Sequence, residues 1–315
     1  MQLGDDCAQA AVPHQVRSAC AWVAPRARFV RIEEAEIGAY AATLAPPAEP
    51  PPAEPESHLL EGDRESRAAF VVCLDAINFG SGWWPTIRKR PGRSGYFTIA
   101  AGLTEQFREA GAWNAADLVE LGPGDLATTL DQDPSHPLMA DYAAALRDVG
   151  ERLLADHGGR FEGLLDAAGG SAASLAGILA GWPSFADVST YEGRPIPFYK
   201  RAQIAAADLN RTGVVRLRGE ERLTAFADNL VPHVLRIDGI LNLDRALEAK
   251  IDAGDLISHG SPEEIELRAC AVHAIELLAG ISGIPPAQLD GVLWNRGRAD
   301  RYKSVPRPRS RNTAY

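Results

Sequence analysis

A chain of 315 residues with 46% hydrophobic content has enough apolar surface for one large domain or two intimate ones. No segment approaches the roughly 20 unbroken apolar residues of a membrane span. The formal charge of −10, with Lys and Arg gathered only around Arg88, Lys89, Arg90 and Arg93 and in residues 296–311, argues against a protein that grips long stretches of phosphate backbone, though not against one that binds a single phosphate.

Residues 1–10 carry Asp5 and Asp6 and no apolar run, so no secretory signal is expected. Cys7, Cys20, Cys73 and Cys270 lie far apart, without zinc or redox spacing, which predicts a reduced, cytoplasmic chain with no metal. Helical spacing of apolar residues predicts short helices over 16–30 and 33–44. Residues 46–55, PPAEPPPAEP, can hold neither a helix nor a sheet ladder and read, within 45–56, as a Pro-rich surface connection. Residues 68–79 are apolar except for Asp75 and Asn78, whose separation puts them on one helix face, where burial requires hydrogen-bond partners. Gly80 to Gly95 then form a loop with Trp83, Trp84 and four basic residues, followed by Tyr96-Phe97. It fits the lining of a base or phosphate pocket, and equally a loop pinned by its tryptophans.

Helices are expected over 98–110, 114–121, 137–156, 161–168 and 171–179, with Leu121-Gly122-Pro123-Gly124 a helix end followed by a new cap. Ser184 and Asp187 have capping-box spacing. Residues 190–198 read as a short hairpin or loop. Ser261-Pro262-Glu263-Glu264 is a strong start signal for a helix running to Gly280, with Glu266 and His273 among its apolar positions. Residues 298–315 form a basic, Pro-containing tail expected to be loosely ordered. The fold class is mainly α with minor β-hairpin content, in two helical lobes divided near residue 190.

The most suggestive chemistry lies in residues 198–236. Lys200 opens a helical run and Asp228 precedes the next one, punctuated by Pro232, which is expected to hold Val231 extended. A carboxylate under a sugar C1 stabilises the cation formed when an N-glycosidic bond breaks. A carboxylate at a helix start is also a cap, and on spacing alone both readings of Asp228 stand. Asp208 is placed to bond Arg211 or Lys200.

CLDAINFG (73–80), WPSFADVSTYEGRPIPFYKRAQIAAADL (182–209), LTAFADNLVPHVLR (223–236) and EIELRACAVHAIE (264–276) resemble, in order and spacing, the queuosine salvage family. The similarity runs from about Val16 to about Trp294. It implies a cofactor-free hydrolase that releases queuine from queuosine 5′-monophosphate, on an all-helical fold distantly similar to helix-hairpin-helix DNA glycosylases. It further implies Lys200 and Asp228 as the catalytic pair, with no membrane, tRNA or DNA partner, and a monomer. Because a 7-deazapurine offers no N7 to protonate, the carboxylate near C1 gains weight. Asp75, Asp238 and Glu266 are candidates for the N–H edge of the base, and Lys200, Arg201 and His233 for the 5′-phosphate. Asn78, Phe79, Tyr96 and Tyr199 complete the expected binding set. The rivals are a DNA-lesion glycosylase using the same Lys and Asp, and a non-catalytic binder of modified bases. The chain departs from the family at Gly80-Ser81-Gly82, where relatives tend to be bulkier, and in the loop from Arg88 to Arg93.

Overall fold

The computed structural model describes residues 11–45 and 55–315; the Pro-rich stretch lies largely outside them. Fifteen α-helices dominate the described residues, with two small antiparallel strand pairs. No single helix among them is long and apolar enough to cross a membrane.

Two apolar cores organise the chain. The first is built by α3 (Arg64–Ala76), α4 (Gly95–Glu109), α5 (Ala115–Glu120), α6 (Pro123–Thr129), α7 (Pro137–Asp156), α8 (Phe161–Ala167) and α9 (Ala172–Ala180). The second is built by α1 (Ala11–Val23), α2 (Glu34–Ala41), α11 (Leu230–Ile237), α12 (Arg245–Asp252), α13 (Pro262–Ser282) and α14 (Pro286–Arg296), with α15 (Asp300–Lys303) packed on α11. A division near residue 190 describes this incompletely. The N-terminal α1 joins the later core, and α10 (Lys200–Arg211) buries Ala202, Ala205, Ala206 and Leu209 in the earlier one. Tyr199 touches both cores, so the residue before Lys200 sits on their seam.

Local chemistry explains most boundaries. Asn114 and Asp117 form a capping box on α5, and Asp125 accepts the Gly122 N–H at 2.8 Å to start α6 at Pro123. Ser261 Oγ accepts from Glu264 N at 3.3 Å, with Pro262 opening α13. Strands β2 (Val188–Tyr191) and β3 (Arg194–Pro197) form the expected hairpin, turned by Glu192 and Gly193, both at positive φ.

Several expectations are corrected. Helix α1 ends at Val23, and Val30 instead begins β1 (Val30–Ile32), which pairs with β4 (Leu241–Leu243). A β-branched residue at helical spacing reads as either element, and pairing decided it. Ser184 and Asp187 make no capping box; residues Pro183–Phe185 form a single 3₁₀ turn and Asp187 is used elsewhere. Val231 is helical, because Pro232 sits in the first turn of α11, where a missing N–H costs nothing.

The tail is ordered, not loose. Pro308, Ser310, Asn312 and Ala314 are buried, alternating with more exposed neighbours as in an extended strip. Arg309 O accepts from Ile257 N at 2.8 Å, Pro308 O from Asn229 Nδ2 at 2.8 Å, and Tyr315 O from Gly80 N at 3.1 Å. A Cβ at Gly82 would stand 2.3 Å from Ser310 O. Glycine there lets this segment lie against the first core while it is bonded to the second, and at Gly80, with φ of 100°, a Cβ would meet Leu138 at 2.7 Å.

Candidate active site

Lys200 is fixed from both ends. Its backbone N–H donates to Asp187 Oδ2 at 3.2 Å, and its ammonium donates to Asn78 O at 3.0 Å. The preceding Tyr199 holds a left-handed conformation with φ of 47°. For a non-glycine residue that costs on the order of 1 kcal/mol or more, and such strain gathers at functional sites. The side chain is buried, and desolvation lowers the ammonium pKa; the charges of Asp228 and Asp75 offset part of this.

Asp228 is both things the sequence allowed. Its Oδ1 accepts the N–H groups of Leu230 at 2.9 Å and Val231 at 3.0 Å, capping α11. Its Oδ2 accepts no hydrogen bond from the described residues, and the side chain is only half-buried. It lines a cleft with Asn229, Glu264, Arg268, Arg309 and Tyr315. The enclosed space of the cleft is about 10 Å³, room for about one water molecule, so a nucleotide requires its walls to part.

Lys200 and Asp228 belong to a wider charge cluster. Asp75 on α3 accepts Asn78 Nδ2 at 3.2 Å on one oxygen and leaves Oδ2 buried without a partner. Burial, then repulsion from Asp208, pushes its pKa well above the usual carboxylate range. Asp290 on α14 accepts Phe226 N at 2.9 Å, and burial with the charge of Asp228 raises it likewise. Asp208 is held by Arg211 at 2.8 Å, across one turn of α10. Burial tilts both carboxyls beside Asp228 and Lys200 toward the protonated form, in which each adds a hydrogen-bond donor to the site.

An ion pair braces this arrangement. Arg268 on α13 donates to Asp187 at 3.0 and 2.6 Å and, through Nε, to Ala227 O at 3.0 Å. Asp187 accepts the Lys200 N–H, and Ala227 is the residue before Asp228. One guanidinium thus links the backbones of both residues. It is fully buried, stacked 3.9 Å over Phe198 and 4.5 Å over Tyr315, and burial, which would lower its pKa, is outweighed by Asp187 and Glu264. Truncating Arg268 would strip Asp187 of its ion pair, and truncating Asp187 would leave Arg268 with Glu264 at 3.5 Å as its remaining carboxylate.

Other candidates are engaged elsewhere. Both amino groups of Arg201 donate to carbonyls, Ala76 O and Ser184 O, and its guanidinium lies over Phe79 at 4.8 Å. Phe79 packs edge-on to Tyr142. His233 faces Tyr302 O at 2.9 Å in the second core, where burial drops its pKa to about 4. Asp238 accepts from Tyr40, Tyr302, Arg296 and Arg301, and Glu266 from three consecutive N–H groups (Arg28, Phe29, Val30) and from Tyr191. Tyr96 meets Trp294 at 6.1 Å, joining α4 to α14 near Arg211. The loop tryptophans pack on the first core, and Arg88 and Arg90 pair with Asp131 and Glu105, so this loop is pinned. Among the described residues no group of three or more His, Cys, Asp or Glu side chains could hold a metal ion. Asp187, Arg268 and Asp290 were not singled out from sequence. The first looked like a cap; the others look like ordinary polar positions on amphipathic helices.

Residues 58–315 match the family described as queuosine salvage protein. A protein of Sphaerobacter thermophilus named queuosine 5′-phosphate N-glycosylase/hydrolase is 35% identical over 282 residues, 84% of this chain and 86% of that one. The chain belongs to the queuosine salvage protein family. Relatives with the same name occur in Bos taurus, 29% identical over 83% of each chain, and in Dictyostelium discoideum, 27% identical over 80% of this chain and 79% of that one. The family match extends through the ordered tail, beyond the motifs legible in the sequence.

Proposed function

We propose that this protein hydrolyses the N-glycosidic bond of queuosine 5′-monophosphate, releasing queuine and ribose 5-phosphate. The observation that carries the reading is the pairing of a buried, immobilised Lys200 with an Asp228 that lines a cleft and whose second oxygen accepts no hydrogen bond among the described residues. Asp228 stabilises the cationic sugar or orients the attacking water, and Lys200 balances the charge that shifts during bond breaking. Asp75 and Asp290, whose burial favours the neutral form, can in that form donate hydrogen bonds to the departing base, whose ring lacks an N7 to protonate. Tyr96 and Tyr199, at the seam of the two lobes, are placed to flank the base, with Asn78 beside Asp75. Asp238, Glu266, Arg201 and His233, saturated or in the core, serve the frame instead. We assign the activity to a cytoplasmic monomer working without metal or cofactor on a free nucleotide, a reading supported by the pairing of its loop arginines with carboxylates.

The test incubates the protein with queuosine 5′-monophosphate, and separately with queuosine, and follows queuine by chromatography. Release is expected from the nucleotide; none from either substrate defeats the reading.

A further inference from the structure

Two of the cations first expected at a 5′-phosphate do not remain available for it. Arg201 spends both amino groups on carbonyls and His233 is held neutral in the core, while Lys200, bonded once to Asn78 O, is assigned above to the bond-breaking step. The tail supplies an alternative. In the extended strip around Pro308, buried Pro308 and Ser310 alternate with part-exposed Arg307 and Arg309; Pro308, Arg309 and Ser310 line the cleft, and Arg307 borders them. The Asn229–Pro308 bond fixes their backbone beside the residue that follows Asp228, and Arg236 Nη1 reaches Pro306 O at 3.4 Å. Arg309 lines the Asp228 cleft and spends one amino group on Gly254 O at 2.8 Å. Arg307 is partly buried and has neither a hydrogen bond nor an ion pair among the described residues. The two guanidiniums repel one another, and Arg307 lies within the field of Asp228. Two adjacent, partly desolvated guanidiniums without carboxylate partners form a site for a phosphate monoester.

We infer that Arg307, assisted by Arg309, grips the 5′-phosphate of the nucleotide and thereby sets its sugar against Asp228. This rests on the hydrolase reading for the identity of the ligand. It also assigns the tail a second task beyond joining the lobes: the wall that parts to admit the nucleotide carries the groups that close on it. The experiment compares wild type, Arg307→Ala and Arg307→Lys on queuosine 5′-monophosphate and on queuosine, and measures competition by ribose 5-phosphate and by ribose. Arg307→Ala is expected to lose about tenfold to a hundredfold more kcat/KM on the nucleotide than on the nucleoside, and to bind ribose 5-phosphate correspondingly less well; lysine restores part of both. Equal losses on both substrates, or unchanged affinity for ribose 5-phosphate, overturn the assignment. If the wild type releases queuine from neither substrate, the hydrolase reading falls, and ribose 5-phosphate binding alone decides whether Arg307 holds phosphate.

Discussion

Asp228 and Asp238 stand at opposite ends of helix α11, and the contrast between them separates frame from site. Asp238 gathers two phenols and two guanidiniums, with Tyr40 at 2.6 Å and Arg296 at 3.2 Å, and both its oxygens are satisfied. Asp228 spends one oxygen on capping and keeps the other for whatever enters the cleft. Residue type and adjacency to the same helix do not distinguish them. What distinguishes them is whether the surrounding chain has met their hydrogen-bonding capacity.

That contrast can be broken most directly at Asp228. Asp228→Asn keeps a capping oxygen but loses the charge, so queuine release should fall by about a hundredfold to a thousandfold with little change in melting temperature. A collapse of melting instead would reduce Asp228 to a cap. Between the two carboxylates lies His233, which faces Tyr302 O, with Arg307 and Arg236 as the charged groups acting on it. Its pKa is about 4 in the folded chain against 6.5 in the unfolded one, so the unfolded chain binds the extra proton. This residue's contribution is therefore whole above pH 6.5 and should shrink by roughly 3 kcal/mol as pH falls toward 4. Melting curves across that window should flatten in His233→Gln.

At the other end of the helix the effects should invert. Asp238→Ala strands Arg296 and two phenols and should cost about 2 kcal/mol of stability in denaturant unfolding, while kcat per folded molecule is retained. Asp290→Asn sharpens the comparison from the opposite side. Its raised pKa means that the stability it provides is full below the unfolded carboxylate pKa and is lost as pH rises toward the folded value. The neutral isostere should therefore melt about 2 °C or more higher at neutral pH, and less so in acid. A gain in stability joined to a loss of turnover would mark Asp290 as part of the site.

The sequence displayed the helices whose ends carry caps, such as those opened by Asn114 and Ser261, because those signals are local. It placed Lys200 and Asp228 together through motif order. It could not show that Arg268 ties Asp187 to Ala227, since that bond depends on three segments meeting in space and periodicity registers Arg268 only as one polar residue on α13. Asp238 and Glu266 attracted attention for being acidic among apolar neighbours, and the same trait serves a saturated network as well as a ligand. The order of the tail is not legible in its residues, because proline and arginine suggest solvent, whereas its buried positions are small or bonded through their backbone.

Helix α1 packs on α13, and Arg17 meets Glu276 at 2.8 Å across nearly the whole length of the chain. During synthesis the first lobe can assemble as it emerges, but α1 must wait for a partner translated near the end. Its apolar face stays uncovered throughout that interval, so chaperone demand in the cell should follow elongation speed more closely than the stability of the finished protein.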